Sequence, residues 1–134
     1  MNKNKFHDDL EIGLKGEQDI ISKVQEYLGQ EIHKTSDYHN FDFLSANNDT
    51  YVEVKTRRID HDKYSTIFFS KAKLKFILRN PTYNYIFVYN CNDGMYVWKY
   101  VAEQLCEGFG GRNDRGIDER KILCKIPTKY LNPL

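Results

Sequence analysis

The sequence has few of the residues that mark several common protein classes. Its three cysteines, Cys91, Cys106 and Cys124, are widely separated along 134 residues. A disulfide framework or zinc site normally shows cysteines paired at short spacing, so we expect free thiols and a cytoplasmic location. No apolar run approaches the roughly 18 residues of a membrane-spanning helix. The basic residues 1–5 precede no hydrophobic stretch, so they do not resemble a signal peptide.

The sequence also lacks an excess of charge of either sign, since its formal net charge is +1. Near-neutrality argues against a strongly basic nucleic-acid-binding protein. The charge is nevertheless uneven, because residues 55–79 contain eight basic and two acidic side chains. This segment predicts a basic face able to meet a phosphate backbone, although an ordinary solvated helix face has a similar composition.

The amino-acid composition favours one folded domain. Forty per cent of the residues are hydrophobic and 14% are aromatic, which is enough for a sizeable core. A chain of this length corresponds to a single domain. We therefore predict one domain over residues 1–134, with its core at about 8–101 and a C-terminal helix, glycine-rich loop and last strand at 102–134.

A long amphipathic helix is predicted from Asp8 to Leu28, where Gly29 ends it. Its apolar residues lie within about 40° of one line at helical periodicity; they are Leu10, Leu14, Ile21, Val24 and Leu28. Glu17 falls inside this stripe. A carboxylate on an apolar face needs a compensating partner, so Glu17 is a candidate functional residue.

The rest of the chain predicts further strands and one more helix. Strands are expected at 31–38, 40–45 and 51–56, a loop at 56–65, and a helix at 71–79 that Ser70 caps and Pro81 terminates. A hairpin at 83–89 and 95–100, a short helix at 101–106 and a strand at 121–126 follow. This order is typical of an α/β (α+β) fold with a mixed central sheet flanked by helices.

The second and third strands bring acidic residues together. If Asn47-Asn48 forms a two-residue turn, paired residue numbers sum to 95 and Asp42 lies opposite Glu53. A longer turn would change this pairing. Strand alternation places Lys55 on the Glu53 face and puts the apolar neighbours on the other face; these are Phe41, Phe43, Val52 and Val54.

The facing carboxylates predict a cation between them, because like charges opposite each other are destabilising. Magnesium prefers carboxylate oxygens and water as ligands. Held by Asp42, Glu53 and the Val54 carbonyl, it would polarise a phosphodiester and lower the pKa of a water. Lys55 would orient that water and stabilise the transition state. The alternative is an exposed hairpin with a Glu53–Lys55 surface pair.

These residues resemble the PD-(D/E)xK nuclease superfamily, whose restriction-endonuclease-like core runs α-β-β-β-α-β. In that superfamily an aspartate on the second strand and a Glu-x-Lys on the third hold the metal, which matches Asp42 and Glu53-Val54-Lys55. Phe41 stands where the motif has proline. Glu17 matches a glutamate that many members, especially archaeal-type Holliday-junction resolvases, carry on the first helix. A second Glu-x-Lys at 119–121 has no suitable strand before it.

The resemblance, over about residues 10–101, implies a metal-dependent DNA endonuclease that leaves 5′-phosphates. It implies Mg²⁺ as cofactor, with Mn²⁺ able to substitute. Asp42, Glu53 and Lys55 would be catalytic, and Glu17 would support the metal. Basic residues at and after the motif are predicted to contact DNA; they are Arg57, Arg58, Lys71, Lys73 and Lys75.

Several functional alternatives stay open. Small size favours a structure-directed, resolvase-like enzyme, which needs two active sites and hence a homodimer. A restriction- or repair-type endonuclease, a catalytically silent nucleic-acid-binding domain and an interaction module are the rivals. The glycine-rich residues 108–111 lack a P-loop ending, so no nucleotide cofactor is expected. No membrane partner is expected, and the compartment would be the host cytoplasm if the protein is phage-encoded.

Overall fold

A computed structural model describes residues 3–110 and 123–134, and the side chains of residues 16–106 and 123–134. The described part contains helices α1 (Lys3–Leu28) and α2 (Lys71–Arg79). Its nine strands are β1 (Ile32–Lys34), β2 (Phe43–Ser45), β3 (Thr50–Thr56), β4 (Thr66–Ser70), β5 (Asn84–Cys91), β6 (Gly94–Lys99), β7 (Cys106–Gly110), β8 (Leu123–Pro127) and β9 (Asn132–Pro133). The predicted stripe residues Leu10 and Leu14 and the second Glu-x-Lys fall outside the described side chains.

The strands form two sheets. The central sheet has six strands in the order β1-β2-β3-β5-β6-β9, and a second sheet has the order β4-β8-β7. Neighbours in the central sheet are antiparallel except β3 and β5, which run parallel. The predicted mixed α/β (α+β) fold is confirmed. Its restriction-endonuclease-like order of α1, β1 to β3, α2 and β5 is interrupted only by β4.

Both faces of the central sheet are covered. Ile20 and Val24 of α1 pack on one face, against a cluster that includes Val52 and Val88. The other face carries Tyr51, Phe87 and Trp98, and it packs against Ile77 of α2 and residues of the second sheet. Successive residues of β3 therefore enter different clusters, because side chains alternate across a strand.

Local signals predicted several element boundaries correctly. The first helix ends at Leu28 with Gly29 at φ 69°, a conformation that glycine adopts without steric penalty. Its start at Lys3 is earlier than the expected Asp8. The second helix covers 71–79 as predicted, with Ser70 extended just before it but making no side-chain capping bond.

Other expectations were wrong where distant strands decide the structure. The first predicted strand shrinks to three residues, and β4 falls in a segment that no predicted element covered. The short helix expected at 101–106 is a single 3-10 turn at Ala102–Gln104, followed by β7. Gly108 and Gly110 of the expected loop lie in β7, and Gly111 lies outside the described residues. Among the described residues no helix is long and apolar enough to cross a membrane.

Candidate active site

The register of the β2–β3 hairpin agrees with the prediction. Phe43 lies opposite Val52 and Leu44 opposite Tyr51, so the same register places Asp42 opposite Glu53. The connection spans residues 46–49 and is therefore longer than a two-residue turn. Asn48 adopts φ 57° within it. This four-residue turn keeps the predicted pairing because its ends still meet at Ser45 and Thr50.

A network of side chains holds this turn closed. The Ser45 hydroxyl donates to Asp49 Oδ1 at 2.7 Å and accepts the Thr50 N–H at 3.0 Å. Thr50 Oγ1 and Gln30 Nε2 also donate to Asp49 Oδ1. These hydrogen bonds hold the pKa of Asp49 below its usual value, led by the bonds from Ser45 and Thr50. The turn thus sets the alignment on which the acidic pair depends.

The backbone before β2 positions Asp42. The Thr35 N–H donates to the Asp42 carbonyl at 2.9 Å, and Thr35 Oγ1 donates to the same oxygen at 3.0 Å. His39 accepts the Phe41 N–H on Nδ1 at 3.0 Å and stacks on Tyr51. Because the Asp42 backbone is turned toward β1, its pair with Glu53 is of the non-hydrogen-bonded kind. Such pairs bring side chains closest together.

The expectation of one apolar and one open face of the hairpin was wrong. Phe41 joins Tyr51 in the cluster on the Glu53 side, whereas Phe43 joins Val52 on the other side. Strand β2 begins only at Phe43, so the alternation does not extend back to Phe41. Glu53 itself is only 2% exposed. The acidic pair therefore lies at a covered edge of the sheet, not on a solvated surface.

The two carboxyl groups are in direct contact. Asp42 and Glu53 share a hydrogen bond, and Asp42 Oδ2 also accepts the Val54 N–H at 3.0 Å. Burial raises the pKa of Glu53 to about 8, and the Asp42 contact adds to that rise while Lys73 opposes it. Burial also raises the pKa of Asp42, but the bonds from Glu53 and Val54 outweigh it and leave a net decrease. Without a metal the pair therefore holds one proton, on Glu53, at neutral pH.

Two lysines face the acidic pair. Lys55, which the sequence placed beside Glu53, lies opposite Tyr89 in the β3–β5 ladder. Its positive charge contributes to the lowered pKa of Asp42. Lys73, which reaches in from the first turn of α2, contacts Glu53 Oε2 and the Asn40 carbonyl with its ammonium group. Only 13% of the Lys73 side chain is exposed. The structure thus gives Lys73 an internal role, and its predicted contact with DNA stays a prediction.

A cavity of about 590 Å³ adjoins Asp42 on the α1 side of the sheet, and neither Glu53 nor Lys55 is among its described lining residues. Glu17, Asp42 and Val54 all line it, so the helix glutamate and the hairpin aspartate meet at one space. Polar residues that the sequence did not single out also line it; they are Lys34, Thr56 and Asn90. Thr56 and Asn90 are partners at the ends of parallel strands, an edge where ligands commonly bind.

The whole arrangement corresponds to a known family. A profile of the family described as "Phage putative PDDEXK endonuclease" matches residues 9–134. The chain belongs to this family. The match contains Glu17, Asp42 and the run Glu53-Val54-Lys55, so the protein is a nuclease of the PD-(D/E)xK class. A comparison with curated proteins finds no match.

The acidic pair of this endonuclease offers the kind of ligand atoms that a hard divalent cation binds. Two contacting carboxyls that share a proton provide the oxygen ligands that magnesium and manganese favour. The Val54 carbonyl lies on the same side of β3 as the Val54 N–H, because both groups of an extended residue point to one neighbour, and that N–H points to Asp42. The residues present therefore fit Mg²⁺ or Mn²⁺.

The predicted DNA-binding residues of the endonuclease have different surroundings. The Arg57 guanidinium lies 5.2 Å from the Phe68 ring centre, and the Arg57 N–H donates to the Asn90 carbonyl at 2.9 Å. Arg58 is exposed and lines the cavity. Lys71 and Lys75 are half-buried on α2. The structure thus brings Arg58 to the site directly, and the predicted DNA contacts of the whole set stay predictions.

A second group of metal-ligating residue types, His61, Asp62 and Asp93, lies at the β5–β6 turn. His61 Nδ1 is 2.5 Å from Asp93 Oδ2, and the His61 N–H donates to Asp93 Oδ1 at 2.9 Å. The His61 ring also stacks on Tyr96 at 3.9 Å. These contacts hold the 57–65 segment against the central sheet, and this structural role accounts for the group.

Proposed function

We propose that the protein is a divalent-metal-dependent DNA endonuclease whose metal site is formed by Asp42, Glu53 and the Val54 carbonyl. The observation that carries this proposal is the contact between half-buried Asp42 and buried Glu53, beside Lys55 and Lys73. Mg²⁺ is the proposed cofactor, and Mn²⁺ is expected to substitute. Glu17 supports the metal from across the cavity.

When bound, Mg²⁺ or Mn²⁺ would supply Lewis-acid activation of a phosphodiester and of water. The chain's own residues then have separate roles. Asp42 and Glu53 must release their shared proton to bind the metal. Lys55 orients the attacking water and stabilises negative charge as it develops on phosphate oxygens. The lysine suits this role because its ammonium is a compact charge with rotatable donors.

The basic residues position the DNA backbone. Arg58 extends from the end of β3 at the cavity, and Arg57, Lys71, Lys73 and Lys75 belong to the same basic segment of the sequence. Contacts of this kind fix the register of the nucleic acid and do not read its bases. We therefore expect structure-directed cleavage, of the resolvase type, in preference to sequence-specific restriction.

A homodimer completes this proposal, because cutting two strands of a junction requires two active sites. The resolvase-like preference rests on the small size of the chain and on Glu17. Cleavage of a four-way junction in preference to its duplex arms, by a species that light scattering shows to be dimeric, would support it. A strict monomer at micromolar concentration, or equal cleavage of arms and junction, would favour a repair- or restriction-type enzyme.

Cleavage assays with isosteric variants test the catalytic proposal. Plasmid, junction and single-stranded DNA are incubated with Mg²⁺ or Mn²⁺, using wild type, Glu53→Gln and Lys55→Met. Each variant is expected to lose about 10²-fold or more in cleavage rate, because each removes a charge that acts in the transition state. Glu31→Gln, which changes an exposed glutamate outside the site, serves as the control.

The same experiment separates the rival functions. Metal-dependent cutting that the two site variants lose and the control retains supports the endonuclease. DNA binding by wild type without cutting under any metal condition would indicate a silent binding domain. Absence of both cutting and DNA retention at low salt would indicate an interaction module.

A further inference from the structure

The cavity between α1 and the end of β3 is lined by both apolar and polar residues. Its described apolar lining comes from both the helix and the sheet, through Ile20, Ile21, Phe43 and Val54. Its described charged lining consists of two basic residues, Lys34 and Arg58, and two carboxylates, Glu17 and the proposed metal ligand Asp42. An apolar surface in a cavity that basic side chains also line suits a flat base that is joined to a phosphate.

The size of the cavity restricts what can enter it. Its volume of about 590 Å³ lies within the range of sites for single small ligands. A base-paired duplex presents its bases stacked inside the helix, so a paired base cannot enter a slot between a helix and a sheet. A nucleotide that is unpaired, or has been turned out of the stack, can do so.

A glycine in α1 gives a way to alter the cavity from the helix side. Gly16 lies within the 26-residue helix and lines the cavity. A Cβ atom built at this position would meet nothing within 4 Å, so neither close packing nor a positive φ accounts for the glycine. Glycine inside a helix is destabilising relative to alanine. Gly16 is exposed at the cavity, so a larger side chain introduced there has room to occupy part of it.

We propose that this cavity binds one unpaired nucleotide of the DNA next to the cleaved phosphate, so that the enzyme selects substrates with an unpaired nucleotide at the cut. This inference rests on the proposed endonuclease function and adds its substrate class. The base would lie on the apolar wall, and Lys34 and Arg58 would hold its phosphate. Lys34 lies in β1 and Arg58 in the segment after β3, so the two basic side chains reach the cavity from different parts of the chain.

The test fills the cavity from the helix. Gly16→Leu places a larger side chain in open space and replaces glycine by a better helix former, so folding should be preserved. Gly16→Ala changes helix propensity in the same direction but fills little of the cavity. Ser22→Leu introduces the same side chain on the solvent-exposed side of α1 and serves as the matched control.

Cleavage is compared between a flapped or single-stranded DNA and a fully paired duplex of the same sequence. Wild type and Ser22→Leu are expected to cut the unpaired substrate at least about tenfold faster than the duplex. A nucleotide of the duplex must be unpaired before it can enter the cavity, and unpairing costs free energy. Gly16→Leu is expected to lose most of that preference, with Gly16→Ala in between. Equal rates for wild type on both substrates, or an unchanged preference in Gly16→Leu, would overturn the inference.

A binding measurement separates this inference from the nuclease proposal. Single-stranded DNA carrying 2-aminopurine is titrated with each protein in EDTA, where no cutting occurs. Gly16→Leu should bind about tenfold more weakly than Ser22→Leu and should not change the probe's fluorescence. Equal affinity and equal fluorescence changes would overturn the pocket even if wild type proves to be a nuclease. If Gly16→Leu is the only variant that loses binding, nucleotide binding in the cavity is supported even if wild type cuts nothing.

Discussion

Lys73 shows how one residue controls the electrostatics of the site. It joins α2, the loop before Asp42 and the buried Glu53 through its ammonium contacts with Glu53 and Asn40. Its ammonium also lies 5.3 Å from the Phe41 ring centre. Removing one partner of a buried ion pair is more destabilising than replacing both, because the remaining charge loses its compensation.

We therefore expect Lys73→Met to lower the free energy of unfolding by about 2–3 kcal/mol in the metal-free protein at neutral pH. This value lies below the usual range of about 3–5 kcal/mol for a broken buried pair, because Glu53, whose pKa is raised to about 8, is already largely protonated at neutral pH. The double variant Lys73→Met/Glu53→Gln should recover much of the loss. Urea unfolding of the four proteins measures the coupling, and strictly additive losses would contradict it.

The raised pKa of Glu53 predicts a pH dependence of stability. Its pKa rises from 4.5 to about 8 in the folded protein, so the folded state holds a proton that the unfolded state releases between these values. The stabilisation is fully present below about pH 4.5 and is lost as pH rises through about 8. In EDTA, the free energy of unfolding of wild type should fall relative to Glu53→Gln across this interval.

Thermal or urea unfolding in EDTA at several pH values makes this comparison. Glu31→Gln, at an exposed position, should keep the wild-type slope. Adding Mg²⁺ should reverse the trend for wild type, since metal binding replaces the shared proton and favours high pH. Parallel pH profiles for wild type and Glu53→Gln would contradict the proposed protonation of the pair.

At the scale of the element, the β2–β3 turn sets the register that pairs Asp42 with Glu53. Ser45 is only 1% exposed, and its hydroxyl both donates to Asp49 and accepts the Thr50 N–H. Ser45→Ala leaves that buried N–H without its acceptor, which costs about 1–3 kcal/mol. Urea unfolding should show this loss, with exposed Ser65→Ala near wild type. Unchanged stability in Ser45→Ala would mean that the turn closes without its side-chain network.

Elements were predictable where their signals were local. Gly29 ended α1, and α2 lies between Ser70 and Pro81 as predicted, although Ser70 makes no side-chain capping bond, because helix-ending signals act within one turn. Strand β4 was missed because its partner β8 lies about sixty residues away. The expected helix at 101–106 gave way to a 3-10 turn and β7, since β7 is held by pairing with β8, a later strand.

At the scale of the whole molecule, the chain combines a net charge of +1 with basic residues gathered beside its acidic pair. Binding to a phosphate backbone releases counterions, so affinity for DNA in EDTA should fall steeply as salt increases. Arg58→Ala should weaken binding and reduce the slope of log affinity against log salt by about 0.9 if it makes one phosphate contact. Fluorescence anisotropy measures both quantities. Lys23→Ala, on the exposed side of α1, should leave them unchanged, and an unaltered slope in Arg58→Ala would remove that contact from the proposal.

The sequence by itself determined the mixed fold, which residues form the acidic motif, and the pairing of Asp42 with Glu53. These depend on residue type, on strand alternation and on a turn of a few residues, all of which are short-range properties. Only the tertiary structure decided that Glu53 is buried, that Lys73 contacts it and that Phe41 and Phe43 lie on opposite faces of the sheet. It also decided that Glu17 meets Asp42, Thr56 and Asn90 at one cavity. These features join elements far apart in the chain, and their geometry is set by how helices and sheets pack, which no local pattern encodes.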